Sequence, residues 1–288
     1  MALAYVRTCG GDVAVWEARW RAAVAEWDAH AAAGRSPYLG LAAYGPNDAD
    51  RFFGRDRLIT ALVERVARQR LVAVVGASGS GKSSLLRAGL IPALAAGGDF
   101  SLRFTPGAHP LRECAVRLGA ELRVAPGELV TDFAAREGSL GLALRQVLLT
   151  RPAGTEGVPI VDQFEEVFTL CADEDERETF IAALLAAAHD SGYPVRVVLG
   201  LRADFYAHCA RPPALVDALQ DAQVLVGPMT AGELAEVVTE SAARAWLGAE
   251  GTGPPPAPPA SHRPHTRAPR DRPSAAHRKQ QDPPWCGM

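Results

Sequence analysis

The segment Gly76-Ala77-Ser78-Gly79-Ser80-Gly81-Lys82-Ser83 has the residue types and spacing that most directly specify chemistry in this sequence. It satisfies G-x-x-x-x-G-K-[ST], with the apolar run Leu71 to Val75 entering it and the helical pattern SSLLRAGLIPAL leaving it. Gly76, Gly79 and Gly81 let the backbone curl until successive N–H groups, those of Ser78 and Ser80 included, converge with a helix N-terminus on phosphate oxygens. In such a loop Lys82 neutralises the β and γ phosphates, the Ser83 hydroxyl binds Mg²⁺, and Ser84 lies beside them. Lys82 is conspicuous for another reason: of the 30 basic residues, only Lys82 and Lys279 are lysines.

A phosphate loop needs a carboxylate on a neighbouring strand to hold the metal's water shell. Val158-Pro159-Ile160-Val161-Asp162 is an apolar run ending in an acid, so Asp162 is the expected magnesium residue. Gln163 follows it, where many ATPases of this plan carry the glutamate that activates water, and a glutamine cannot accept that proton. Hydrolysis then falls to Glu165 or Glu166 and is expected to be slow. The other reading of these two acids is a solvated helix start, where negative charge suits the macrodipole. Arg202, near the end of PVRVVLGLRADFY, reads either as a fork that senses the γ-phosphate or as a surface arginine. Phe52-Phe53-Gly54-Arg55-Asp56 precedes a helical pattern, with Gly54 allowing a tight approach and Asp56 a candidate N-cap. His109, His189 and His208 keep no spacing to carboxylates that suggests a metal site or a triad, and read as structural.

The elements that must position these groups alternate in type. Strand patterns cover Leu71–Val75, Ser101–Thr105, Val158–Val161, Pro194–Leu199 and Gln223–Val226. Helical patterns cover Arg57–Gln69, Ser83–Ala96, Pro110–Leu122, Leu140–Leu149, Glu174–His189 and Ala231–Leu247. This alternation predicts an α/β fold, a parallel sheet between helix layers. With 288 residues, 48% hydrophobic and 22% charged, the chain can bury one core of usual size and carry appendages. No stretch reaches the roughly 18 apolar residues of a membrane span, and the start lacks the basic-then-apolar order of a secretion signal. Five scattered cysteines with no C-x-x-C pair argue against a disulfide framework or zinc knuckle and fit a cytoplasmic protein.

The two ends read differently. Asp12 to Ala33 places Trp16, Trp20, Val24 and Trp27 on one face of a predicted helix. Residues 251–288 hold 10 of the 22 prolines and no Val, Ile or Leu, a composition that predicts disorder. That tail is basic at +4, which leaves residues 1–250 at −7, a balance that argues against a nucleic-acid motor. The expected organisation is a helical segment over 1–35, a nucleotide-binding domain over 36–248, and a Pro/Arg-rich tail over 249–288.

The ordered blocks SPYLGLAAYGPNDADRFFGRD, VVGASGSGKSSLLRAGLIPAL, FTPGAHPL, VDQFEEVFTLC, LRADFY and ALQDAQVLVGPMT resemble the novel STAND NTPase family over about residues 36–247. The resemblance implies an ASCE-type P-loop NTPase with a parallel five-stranded sheet, in which the sensor strand lies between the Walker A and Walker B strands. It also implies that Phe53, Gly54 and Arg55 lie near the adenine, that Arg202 is the sensor, and that Val226-Gly227-Pro228-Met229 opens a helical lid. Such proteins exchange ADP for ATP to open the lid and self-associate. Here the sequence passes from Ala231–Leu247 into the tail where the family continues with further lid helices, so the lid is expected to be incomplete and the gene product truncated or frameshifted. The N-terminal segment is similar to one that follows a phage-repressor-like helix-turn-helix in multidomain relatives. Two functions are therefore expected as alternatives. One is a switch module that binds Mg²⁺ with ATP or ADP; the other is a non-catalytic fragment that pairs with an intact homologue.

Overall fold

Five short apolar runs make the sheet. They are β1 (Leu71–Gly76), β2 (Phe100–Phe104), β3 (Gly157–Val161), β4 (Val197–Arg202) and β5 (Gln223–Val226). All strand pairs are parallel, in the order β2-β3-β4-β1-β5, in a computed structural model that describes residues 42–136, 138–190, 192–209 and 212–247. β1 and β3 are buried along their whole length, as strands covered on both faces must be. The predicted helix over 12–33 and the tail over 249–288 lie outside the described residues.

Helices join the strands. In chain order they are α1 (Asp56–Arg68), the composite α2 (residues 82–96), α3 (Pro110–Leu122), α4 (Pro126–Ala135), α5 (Ser139–Leu148), the short α6 (Glu166–Thr169), α7 (Glu174–His189), α8 (Tyr206–Cys209), α9 (Pro213–Leu219) and α10 (Ala231–Leu247). Side chains alternate across each strand and so sort the core into two layers. Leu71, Ala73 and Val75 of β1 face one layer with Leu118 of α3, Leu144 of α5 and Leu184 of α7. Val72 and Val74 face the other, with Leu62 of α1 and Leu86 and Leu90 of α2. No helix among the described residues is long and apolar enough to cross a membrane.

α2 departs from the single α-helix expected over Ser83–Ala96. It runs as α-helix over Lys82–Ser84, as π-helix over Leu85–Leu90, and as α-helix again over Ile91–Ala96, with the Ile91 N–H reaching back five residues to the Leu86 carbonyl. Pro92 supplies a reason. It has no N–H for the Ala88 carbonyl and its ring would crowd that group, and a wide turn relieves both.

Other boundaries shift little. β4 begins three residues later than the pattern suggested and runs to Arg202. α4 was not expected; Pro126 at its first turn and buried Leu129 and Phe133, four residues apart, are its sequence signal. Asp56 is the first residue of α1, so it is not the cap: Arg55 occupies that position, without a side-chain capping bond.

Candidate functional site

The sheet order places three strand ends side by side. β4 sits between β1 and β3, as the resemblance implied, so Gly76 pairs with Arg202 and Val161 pairs with Leu199 at one edge. The Gly76–Ser83 loop leaves that edge and Asp162 follows β3 directly, which brings together groups 79 residues apart in sequence. Gly79 and Gly81 take φ of 73° and 90°, the left-handed region that the turn into α2 requires. Ser80 Oγ, within the loop, is buried and has no hydrogen-bond partner.

Lys82 Nζ donates to the carbonyls of Gly76 at 2.9 Å and Ala77 at 2.8 Å, so its ammonium lies across the loop. Burial pulls this lysine below its usual range; Glu165 is the strongest charge opposing the shift, and Arg202 adds to it. Ser83 Oγ donates to Asp162 Oδ1 at 2.9 Å. Asp162 is 1% exposed, and its other oxygen accepts from Arg87 Nη2 at 3.0 Å and Arg103 Nη1 at 3.4 Å.

The two glutamates after Gln163 separate. Gln163 itself takes φ of 59°, a left-handed step that turns the chain at the end of β3. Glu165 is buried and its Oε2 accepts from the Arg202 backbone N–H at 3.1 Å, at the end of β4 that pairs with Gly76. Glu166 points elsewhere, its Oε2 accepting from the Gly107 N–H at 3.1 Å. Burial pushes the Glu166 carboxyl above the usual range, against the Gly107 bond, and Glu165 and Asp162 add to the rise. Arg202 is at the site by its backbone, while its guanidinium grips Asp204 through Nη2 at 2.6 Å and Nε at 3.2 Å.

Phe53, Gly54 and Arg55 form the turn before α1 and meet the start of α10. Gly54 has φ of 75°, and a Cβ there would stand 2.7 Å from the Glu233 carbonyl oxygen. Arg55 is 8% exposed, donating to the Gly227 carbonyl at 2.8 Å and facing Glu233 at 4.0 Å. Ser84 Oγ accepts from the Tyr44 N–H at 3.2 Å. Of the histidines, His109 Nδ1 lies 3.2 Å from Glu176 and His189 Nδ1 lies 2.8 Å from the Leu185 carbonyl, while the His208 ring lies against Phe168 and Phe205.

Sequence reasoning missed Arg87, Arg103 and Asp204. Arg87 follows Ser83 by four residues, a helical spacing that could have revealed it. Arg103 had no such signal, because only the strand order brings β2 beside β3.

The donor set fits a hydrated Mg²⁺. One hydroxyl and one carboxylate oxygen stand 2.9 Å apart, and among the described residues no group of three or more His, Cys, Asp or Glu could hold a metal by itself. A cation here would take its remaining ligands from phosphate and water, as Mg²⁺ does.

No curated protein matches this sequence. Among solved structures, the chain is similar to the Walker-type ATPase paby2304 of Pyrococcus abyssi at 15% identity and a TM-score of 0.45. The likeness covers 71% of this chain and 61% of that one, so this chain spans about three fifths of that protein's length. The sequence model for Novel STAND NTPase 1 matches residues 37–252, well over half of the chain, and takes in the loop, Asp162, the glutamate pair and Arg202. With that match and this fold, the chain belongs to the Novel STAND NTPase 1 family.

Proposed function

We propose that this chain is a cytoplasmic nucleotide switch, binding Mg-ATP and Mg-ADP at the Gly76–Ser83 loop for signal transduction or regulation, with slow ATP hydrolysis. The observation that carries the reading is the 2.9 Å approach of Ser83 Oγ to Asp162 Oδ1 beside Lys82, three groups drawn to one sheet edge by two elements, the start of α2 and the end of β3. Their chemistry is that of a phosphate and metal site and has no other evident use.

The residues divide the work. Gly76, Ser78, Gly79, Ser80 and Gly81 present backbone N–H groups to the phosphates. Lys82 exchanges its two carbonyl partners for β and γ oxygens, where its charge is felt more strongly than in water. Ser83 and Asp162 would hold Mg²⁺, which would supply charge neutralisation at the phosphates. Glu165 serves as the base for the attacking water, since it is buried against the Arg202 backbone at the strand end that pairs with Gly76, and Glu166 supports the Gly107 turn. Arg202 releases Asp204 and turns its fork to the γ-phosphate. Phe53, Gly54 and Arg55 lie near the adenine, and Arg55, through its contacts with Gly227 and Glu233, links the occupied site to the lid and to self-association.

Titration of the purified chain with a fluorescent ATP analogue tests this. Saturable binding in Mg²⁺, displaced by ATP and ADP and lost in Lys82→Ala, is expected. Equal affinity of parent and mutant would overturn the assignment.

A further inference from the structure

Asp162 is held more firmly than a metal carboxylate requires. Beyond Ser83 on Oδ1, its Oδ2 accepts from Arg87 Nη2 at 3.0 Å, Arg87 Nε at 3.3 Å and Arg103 Nη1 at 3.4 Å. Both arginine side chains are only 26% exposed, and the aspartate side chain 2%. Arg87 is carried by the π-wide stretch of α2 and Arg103 by β2, so two elements close on one oxygen from different directions. Neither arginine belongs to the loop motif.

The charge balance follows from these contacts. At Asp162 itself one carboxylate faces two guanidiniums, Arg87 and Arg103, so the charge immediately around its Oδ2 is positive by one before any ligand arrives. A dication placed on Ser83 and Asp162 alone would meet that surplus at short range, in surroundings that screen poorly. Nucleotide phosphates, with several negative charges, reverse the sign.

We propose that Arg87 and Arg103 are positioning residues that clamp Asp162 Oδ2, leave Oδ1 to the metal's water shell, and make metal binding conditional on a bound nucleotide. This inference rests on the reading of the site as one for Mg-nucleotide. It goes further in assigning what admits the metal: Ser83 and Asp162 hold it only with nucleotide phosphates in place, and loss of phosphate loosens it.

Mn²⁺ is the probe, its free form counted by electron paramagnetic resonance on the full chain, with and without ADP. The parent should bind Mn²⁺ weakly alone and tightly with ADP. In Arg87→Gln/Arg103→Gln, which keeps a polar group near Oδ2 but removes both charges, Mn²⁺ binding without nucleotide should tighten by about tenfold or more. Arg87→Lys/Arg103→Lys keeps the charges and should retain the parent's dependence on ADP. Unchanged Mn²⁺ affinity in the Gln pair, or equal tightening in the Gln and Lys pairs, would overturn the proposal. Should the double variant not fold, Arg103→Gln alone, at the edge strand and with the longer contact, should give a smaller tightening, and none would overturn it. A parent that binds no ADP with or without Mn²⁺ would instead refute the nucleotide reading itself.

Discussion

Gly54→Ala probes the joint between the turn before α1 and the start of α10. At φ of 75° an alanine pays the left-handed penalty, about 1–2 kcal/mol. Its Cβ would also stand 2.7 Å from the Glu233 carbonyl oxygen and 2.8 Å from Val237 Cγ2, closer than real contacts allow. The nearer atom is backbone and cannot swing aside, so the overlap adds about 1–3 kcal/mol. The sum, about 2–5 kcal/mol, lowers Tm by roughly 4–20 °C in a domain of this size. Gly98→Ala is the control, because it has φ of 88° but nothing within 4 Å of the added methyl. Thermal unfolding followed by circular dichroism should show Gly54→Ala falling well below Gly98→Ala. Equal drops would mean that α10 does not pack on Gly54, and the link from the site to the lid through this turn would fail with it.

Two further outcomes are expected. Asp204→Asn frees the Arg202 guanidinium from its carboxylate partner and should raise the ATP-to-ADP affinity ratio by about three- to tenfold, read by competition titration; an unchanged ratio would leave Arg202 a surface arginine. Glu166 has its folded-state pKa raised, so its contribution is fully favourable only below the unfolded carboxyl pKa and is lost as pH rises through the folded one. Glu166→Gln should therefore raise Tm at pH 7, with the gain shrinking toward about pH 4, and a gain that grows on acidification would contradict the assigned cause.

Much of this was legible in the sequence, because the strongest signals are local. The Gly76–Ser83 spacing, the apolar run into Asp162 and the helical periods over Pro110–Leu122, Glu174–His189 and Ala231–Leu247 depend on residues near one another, and each element appears where its pattern lies. What could not be read depends on strand order and on side-chain direction. Glu165 and Glu166 are adjacent and chemically alike, yet one meets the Arg202 N–H and the other the Gly107 N–H, a division set by the turn at Gln163. Arg103 joins Asp162 only because β2 pairs with β3, and the π-step in α2 arises from a proline that a helical pattern absorbs without notice. Arg55 was expected beside the adenine by resemblance; its guanidinium meets the Gly227 carbonyl, a contact 172 residues away in sequence.

The central claim is that this chain holds an adenine nucleotide through its loop. Denaturing the purified protein and identifying the released small molecules by chromatography tests it most directly, with Lys82→Ala as control. The account predicts ADP or ATP near one per chain, absent from the mutant. A folded protein that releases none, and binds none when Mg-ATP is added, would contradict it.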